Sequence, residues 1–136
     1  MTRIESDKTL INKSPSEAFS FLVDFNNYKS LMPEQVADWK STSDTCTFTI
    51  KGMASLGMKI VEKKPESEIR FVKKEKAPFE FELYCKIEPA GDNKNQCYLQ
   101  FFFDAALNPF LKMMAEKPLK NFLNMVIAKY QKSSEL

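Results

Sequence analysis

The feature that most constrains this chain is a two-residue alternation of apolar and polar side chains that runs from Trp39 to Phe103. Successive side chains of a β-strand point to opposite faces of a sheet, so the alternation predicts strands with one buried face and one face in water. Turn-forming sequences near residues 42, 54, 65, 78 and 91 divide the region. The pattern therefore predicts six antiparallel strands joined by hairpins.

The phase of the alternation tests this prediction, because directly paired residues of a hairpin lie on the same face. The turns above predict the following pairs: Trp39 with Cys46, Phe48 with Ile60, Ile50 with Met58, Ile60 with Phe71, Glu62 with Ile69, Phe71 with Phe81, Ile69 with Leu83, Leu83 with Phe101, Phe81 with Phe103, and Cys85 with Leu99. These pairs place one almost wholly apolar face inward, opposite a face of threonines and charged residues. A register error of two residues would change the partners but keep the faces.

Shorter elements are predicted before this region. Apolar residues between Thr2 and Asn12 indicate a first strand. Ser14 and Glu17 flank Pro15 in the spacing of a capping box, which predicts that a helix begins there. A second short helix is predicted through Tyr28 and ends near Pro33.

A long helix is predicted at the end of the chain. Asn108 is a favourable N-cap and Pro109 suits the first helical position. From Phe110 to Tyr130 the apolar residues form a stripe at helical spacing, wide enough to be buried against a sheet. Pro118 lacks the N–H that would bond the carbonyl of Met114, so a kink is expected there.

Composition narrows the function classes. The chain has twelve phenylalanines, seven methionines and no histidine, a balance that favours an apolar container over a metal or acid–base site. The net charge is +2 with both signs interspersed, so no nucleic-acid partner is expected. Three cysteines without CxxC spacing, and no apolar signal segment or membrane span, predict a reduced, cytoplasmic protein. The sequence leaves room for transient membrane contact and leaves the oligomeric state open.

Few ionisable groups are expected on the inner face. Glu62 and Lys73 lie near strand ends there, and the tyrosine hydroxyls are the other polar candidates. The cysteines have no histidine beside them and have apolar neighbours, so they are predicted to be inert core residues. Glycine-rich phosphate loops and carboxylate clusters are absent from the sequence. We therefore predict no catalytic residue, metal or cofactor.

A resemblance to a known family rests on three stretches. Ser14-Pro15-Ser16-Glu17-Ala18-Phe19 is followed by Phe21-Leu22-Val23-Asp24-Phe25-Asn26-Asn27-Tyr28 and then by Met32-Pro33. With the order of elements, these stretches resemble the START and pollen-allergen-like (SRPBCC) superfamily, and within it the bacterial polyketide cyclase/dehydrase-like and coenzyme Q-binding-like members.

The resemblance implies an α+β helix-grip fold over residues 1–136 as a single domain. In that fold a seven-stranded antiparallel curved sheet wraps around the long C-terminal helix, with two short helices after the first strand and the first strand beside the last. It also implies a cavity between sheet and helix for a hydrophobic molecule. Relatives with cyclase activity place polar or ionisable side chains in that cavity. In this sequence, few such side chains are predicted to face it.

The leading hypothesis is a non-enzymatic protein that binds or carries a lipid, quinone or polyketide-like molecule. The predicted ligand-binding residues are Trp39, Phe48, Ile50, Met58, Ile60, Phe71, Phe81, Leu83, Phe101, Phe103, Phe110, Met113, Met114 and Phe122. The turn from Gly52 to Gly57 and the helix near Pro118 are the expected access points. Two alternatives stay open: a polyketide cyclase/dehydratase-like enzyme using a tyrosine, Glu62 or Lys73, and a cavity-free protein-interaction module.

Overall fold

The computed structural model describes residues 1–74 and 77–134. Its elements, in chain order, are strands β1 (Thr2–Glu5) and β2 (Thr9–Ile11), helix α1 (Pro15–Leu22), two 3₁₀ turns (Phe25–Asn27 and Lys29–Leu31), strands β3 (Val36–Ser41), β4 (Thr45–Ile50), β5 (Ala54–Lys64), β6 (Glu68–Lys73), β7 (Phe81–Ala90) and β8 (Asn93–Ala105), and helix α2 (Pro109–Ser134).

All strands belong to one antiparallel sheet in the order β1-β8-β7-β6-β5-β4-β3, with β2 also paired to β8. The first strands therefore lie beside the last one, and every other neighbour is joined by a hairpin. Apolar residues of the inner face pack against α1, the 3₁₀ turns and α2. This arrangement confirms the predicted α+β helix-grip fold.

The first strand is split, where the sequence predicted one continuous strand. Thr2–Glu5 pairs with the end of β8 and Thr9–Ile11 with its middle. Between the two segments Ser6 is buried, and its hydroxyl accepts a hydrogen bond of 2.8 Å from the Phe101 N–H. The side chain replaces a backbone partner at the break, so β8 keeps its hydrogen bonds there.

The elements after the first strand form as their caps predict. The Glu17 N–H donates to the Ser14 hydroxyl at 3.1 Å, and the Ser14 N–H donates to the Glu17 carboxylate at 3.3 Å. Residues 25–31 form two 3₁₀ turns instead of a second α-helix. The buried Tyr28 hydroxyl donates to the Leu22 carbonyl, which ties these turns back to α1.

The predicted faces are confirmed for the apolar residues, and several predicted partners are wrong. Ile60 pairs with Phe71 as predicted. The hairpins on either side of β7 are shifted by two residues, which gives Phe71 with Leu83, Leu83 with Phe103 and Cys85 with Phe101. In the β4–β5 hairpin the turn falls at residues 51–53, so Phe48 pairs with Leu56 and Ile50 with Ala54. All these shifts are even and leave the apolar residues facing inward.

Two irregularities explain the other wrong pairs. The β3–β4 register shifts between Ala37 and Lys40, where Asp38 has a φ of 58°, so Cys46 pairs with Ser41 instead of Trp39. A second shift between Ile60 and Glu62 pairs Glu62 with Arg70. An inserted residue changes the phase of the strand beyond it. Glu62 therefore moves to the outer face, away from the position that the sequence predicted.

The long C-terminal helix is confirmed and continues through Pro118. The Asn108 side chain accepts a hydrogen bond of 2.8 Å from the Leu111 N–H, as expected of an N-cap. The buried residues of α2 lie mostly in its second half, from Leu119 to Tyr130. The first three turns are mostly exposed, and the candidate functional site lies beside them.

Candidate functional site

An open-sided groove of about 510 Å³ lies under the N-terminal half of α2. The opposite wall consists of the β4–β5 turn and the residues that precede β7. The lining residues are Gln35, Ile50, Lys51, Gly52, Met53, Ala54, Pro78, Phe79, Phe110, Leu111, Met114, Ala115, Pro118, Leu119, Asn121 and Phe122. Most of these side chains are apolar, and Lys51 is the one ionisable group among those that the structure describes.

Local backbone chemistry shapes the wall formed by the β4–β5 turn. Gly52 has a φ of 80°, a conformation that costs a residue with a Cβ roughly 1–2 kcal/mol. The tight turn lets Met53 and Ala54 face α2 across the groove. The wall opposite α2 therefore lies at the edge of the sheet and in its connections, away from the regular centre of the sheet.

The helix side of the groove is unusually exposed. Phe110 is 64% exposed and Met114 is 59% exposed, although both are large apolar side chains. Pro118 lies between them and the buried half of the helix, and its missing N–H leaves the Met114 carbonyl without an intrahelical donor. The exposed aromatic and thioether surface is the kind that a hydrophobic ligand covers.

Polar groups gather at one end of the groove. The Lys51 N–H donates to the Gln35 carbonyl at 2.7 Å, so the turn after β4 and the residue before β3 lie side by side. The Gln35 amide in turn donates to the sulfur of Met125 on α2 at 3.5 Å. Asn121 lies one turn before Met125 and also lines this end. The opposite end is formed by Phe79, Phe110 and other apolar residues.

The interior between sheet and helix is almost filled. A void of about 30 Å³ remains there, bounded by Tyr28, Met32, Trp39, Phe48, Met58, Leu83, Phe101, Phe122, Leu123 and Val126. That volume is about the share of one water molecule in the liquid, far below that of a ligand site. Of these two spaces beside α2, the groove at the end of the fold is therefore the one with the volume of a ligand site.

A row of aromatic rings connects the void with the groove. Trp39 stacks on Tyr28 with ring centroids 6.5 Å apart and on Phe48 at 5.3 Å. Phe48 stacks on Phe122 at 6.2 Å with nearly parallel planes. Phe122 is half-buried and lines both spaces. Its ring is thus part of the partition between the void and the groove.

The structure distributes the predicted ligand-binding residues over three places. The groove is lined by Ile50, Phe110, Met114 and Phe122. The small void is bounded by Trp39, Phe48, Met58, Leu83 and Phe101, and again by Phe122. The remaining five line neither space: Ile60, Phe71, Phe81, Phe103 and Met113.

Packing explains three of those five positions. Phe71 is fully buried against Phe25, and Phe81 stacks on Phe103 at 5.1 Å in the core. Met113 is 74% exposed on the side of α2 that faces away from the groove. Transient membrane contact, for which the sequence leaves room, stays a prediction.

The ionisable and phenolic candidates lie elsewhere. Glu62 is exposed, 3.7 Å from the ammonium of Lys64. The Lys73 ammonium lies 2.5 Å from the Glu80 carboxylate and does not line the groove. On the outer face, the Tyr84 hydroxyl donates to Glu82. That hydrogen bond, followed by the one from Arg70, holds the pKa of the Glu82 carboxyl below its ordinary value.

The other three tyrosines serve packing. Tyr98 lies under the ammonium of Lys8, 5.0 Å from the ring centroid. Tyr130 is buried against Phe21, with centroids 4.8 Å apart. Tyr28 bounds the void, but its hydroxyl already donates to the backbone. Burial raises the pKa of both Tyr28 and Tyr130 above the ordinary phenol value.

The three cysteines are free, buried thiols. Burial raises the pKa of Cys46 to about 12 and that of Cys97 to about 11, and it raises the pKa of Cys85 as well. A thiol in this state is a weak nucleophile because the thiolate is scarcely populated at neutral pH. None of the three lines the groove.

Sequence reasoning missed the connecting segments that complete the groove, above all Gln35, Lys51 and Phe79. A partial signal existed, since the segment from Gly52 onward and the helix near Pro118 were expected to give a ligand access. Both line the groove. No alternation or helical spacing marks Lys51 or Phe79, because each lies in a connection whose position depends on the whole fold.

Comparison with known proteins reveals likeness in structure only. No protein-family model and no curated protein sequence matches the chain. A START superfamily protein from Mycobacterium smegmatis superimposes with a TM-score of 0.76 at 14% identity, over 98% of this chain and 97% of that one. The chain has a START-like fold.

Two further solved structures have the same START-like fold. The Aha1 protein from Colwellia psychrerythraea, described as a dimer, gives a TM-score of 0.71 at 14% identity, over 100% of this chain and 98% of that one. BexL, a di-domain ARO/CYC from the BE-7585A biosynthetic pathway, gives 0.77 at 14% identity, over 100% of this chain and 47% of that chain. At such identities the likeness defines the fold and leaves function to the site. In the described part of the chain, no helix combines the length and apolarity needed to cross a bilayer.

Proposed function

We propose that the chain, acting as one START-like domain, binds a hydrophobic small molecule of lipid, quinone or polyketide-like character in the groove under α2. The supporting observation is the groove itself. Its volume of about 510 Å³ lies within the range of small-molecule sites, roughly 300–1,000 Å³. Its described wall is mainly apolar with a few polar groups at one end, as is usual for sites that bind apolar ligands.

The expected affinity follows from apolar burial. A ligand that removes about 300 Å² of apolar surface from water gains roughly 7 kcal/mol at about 25 cal/mol per Å². Lost translational and rotational freedom offsets part of this gain, so a dissociation constant in the micromolar range or weaker is expected. Such an affinity suits a molecule that is both taken up and released.

The two alternatives receive less support from the geometry. A cyclase-like mechanism needs an acid or base within reach of the ligand. Glu62 and Lys73 face other partners, and Lys51 is the single ionisable side chain in the described groove wall. The nearly filled interior fits an interaction module, but such a module has no need of a groove lined by Phe110 and Met114.

The proposal is tested by filling the groove. Ala54 faces the groove at the start of β5, and Ser55, the next residue, is exposed and hydrogen-bonds to Thr49. Ala54→Trp is expected to weaken binding of a fluorescent fatty acid by tenfold or more, on the order of 1.4 kcal/mol. Ser55→Trp is the matched control and is expected to bind as the unmodified protein does. Native mass spectrometry of both variants would show whether a co-purified ligand is lost with Ala54→Trp alone. Equal binding by the two variants would refute the proposed site.

A further inference from the structure

We propose that the ligand of this groove is an amphiphile with a single apolar tail and an anionic head, and that the head lies at Lys51. This inference rests on the proposed function and specifies its ligand. It follows from the unequal ends of the groove, from the charges at the polar end, and from the length of helix that separates the two ends.

The groove has a direction. Its α2 side extends from Phe110 to Asn121. The eleven helical steps between these residues, at 1.5 Å each, span about 16 Å, the length of a medium acyl chain. Phe79 and Phe110 lie at the apolar end, whereas Lys51 and Asn121 lie at the other. A molecule that is apolar throughout would desolvate the polar end without replacing its hydrogen bonds.

Lys51 is available to an anion. It makes no ion pair with any residue in the described ranges 1–74 and 77–134. The most favourable partner for its ammonium at the edge of an apolar groove is a carboxylate or a phosphate. Gln35 and Asn121 add amide donors to the same groove wall, and the Gln35 donor is at present directed at a sulfur, a weak acceptor.

The surroundings of Lys51 strengthen the preference for negative charge. A second open depression adjoins this end and is lined by Pro33, Glu34, Gln35, Lys51, Met125 and Lys129. Its two lysines outnumber its one glutamate. The Lys129 ammonium also donates to the Met32 carbonyl at 2.8 Å, which holds it near this position. A head group larger than a carboxylate therefore has space beside Lys51 and a net positive environment.

Three probes with the same ten-carbon tail distinguish the head groups: undecanoate, decyl phosphate and decanol. Binding is measured by displacement of a fluorescent fatty acid at neutral pH and at low and high salt. At low salt, undecanoate or decyl phosphate is expected to bind about three- to tenfold more tightly than decanol. The difference is expected to shrink at high salt because the head lies near solvent. The order of the two anions separates a free fatty acid from a phosphate-bearing lipid as the source of the head.

Two lysine variants localise the effect. Lys51→Gln removes the charge at the groove, and Lys120→Gln removes an exposed charge of α2 that does not line it. Lys51→Gln is expected to abolish the preference for the anions while binding of decanol stays within about twofold. Lys120→Gln is expected to keep the preference.

The outcomes separate the two proposals. If decanol and the anions bind the unmodified protein equally, or if Lys51→Gln leaves the preference unchanged, the anionic head at Lys51 is refuted while the groove stays a hydrophobic site. If none of the three probes binds, the proposed function fails together with the inference that rests on it.

Discussion

Truncation of Phe122 tests whether this ring separates the groove from the interior. The ring is half-buried, stacks on Phe48 and lines both the groove and the void of about 30 Å³. Phe122→Ala removes the partition while keeping the helix, since alanine is the strongest helix former. The variant is expected to join the two spaces into one deeper pocket.

The cost in stability follows from the burial of the ring. A fully buried Phe→Ala change costs roughly 3–5 kcal/mol, through lost transfer free energy and the cavity left behind. Because Phe122 is only half-buried, we expect the free energy of unfolding to fall by about 2 kcal/mol. A loss of this size leaves a protein of ordinary stability folded at room temperature.

The effect on binding is an altered dependence on tail length. In the unmodified protein, carbons beyond the length of the groove find a void with room for about one water molecule, so they add little affinity. After truncation, each additional buried methylene is expected to contribute about 0.8 kcal/mol, roughly fourfold in affinity. Removal of the six-carbon ring makes space for a few such carbons.

The assay compares decanoate, dodecanoate, tetradecanoate and hexadecanoate by displacement of a fluorescent fatty acid, with urea unfolding of the same samples. Ile87→Ala is the control, because Ile87 is buried on β7 but lines neither the groove nor the void. The control is expected to lose stability and keep the tail-length profile. If Phe122→Ala also keeps that profile while binding ligand, Phe122 is not the partition.

Two further predictions concern the core and the edge of the sheet. All three cysteines are expected to resist iodoacetamide in the native protein and to react on unfolding, since burial raises their pKa; rapid labelling of the native state, followed by mass spectrometry, would contradict this. Asp104→Asn is expected to lower the free energy of unfolding by about 0.5–1 kcal/mol at neutral pH and by less at about pH 3. Hydrogen bonds from Arg3 lower the pKa of Asp104 in the folded state, so the stabilisation is present above the unfolded pKa and disappears as the pH falls through the folded value. Urea unfolding at the two pH values measures the difference, and a variant equal to the unmodified protein at neutral pH would show that the pair contributes nothing.

The faces of the sheet could be predicted from the sequence because they depend on a local rule. A strand alternates its side chains whatever its partner is, so the inward positions of Phe48, Phe71 and Phe101 followed from parity alone. The same holds for the caps, since Ser14 and Glu17 satisfy groups within their own first turn.

The registers could not be predicted because they depend on where each turn closes. A turn two residues earlier or later preserves every face, so parity cannot distinguish the alternatives. The shift beside Asp38 and the shift after Ile60 each add a residue that no local pattern announces. The second of these moved Glu62 outward and removed it from the candidate acids and bases.

The position of the site has a different physical origin from the position of the core. Inward-facing residues near the middle of the sheet meet α1, the 3₁₀ turns and the second half of α2, and there side chains fill the space. At the end near Phe110, the helix lies opposite the β4–β5 turn and the residues before β7. The side chains there do not fill the space, and the groove remains. Inward orientation was therefore not sufficient for a position in the groove wall, because a groove forms only where packing partners are missing. The residues that satisfy both conditions, Ile50 and Phe122, lie where the regular sheet ends and the connections begin. Their neighbours in those connections, above all Lys51, are then the residues that can distinguish one hydrophobic molecule from another.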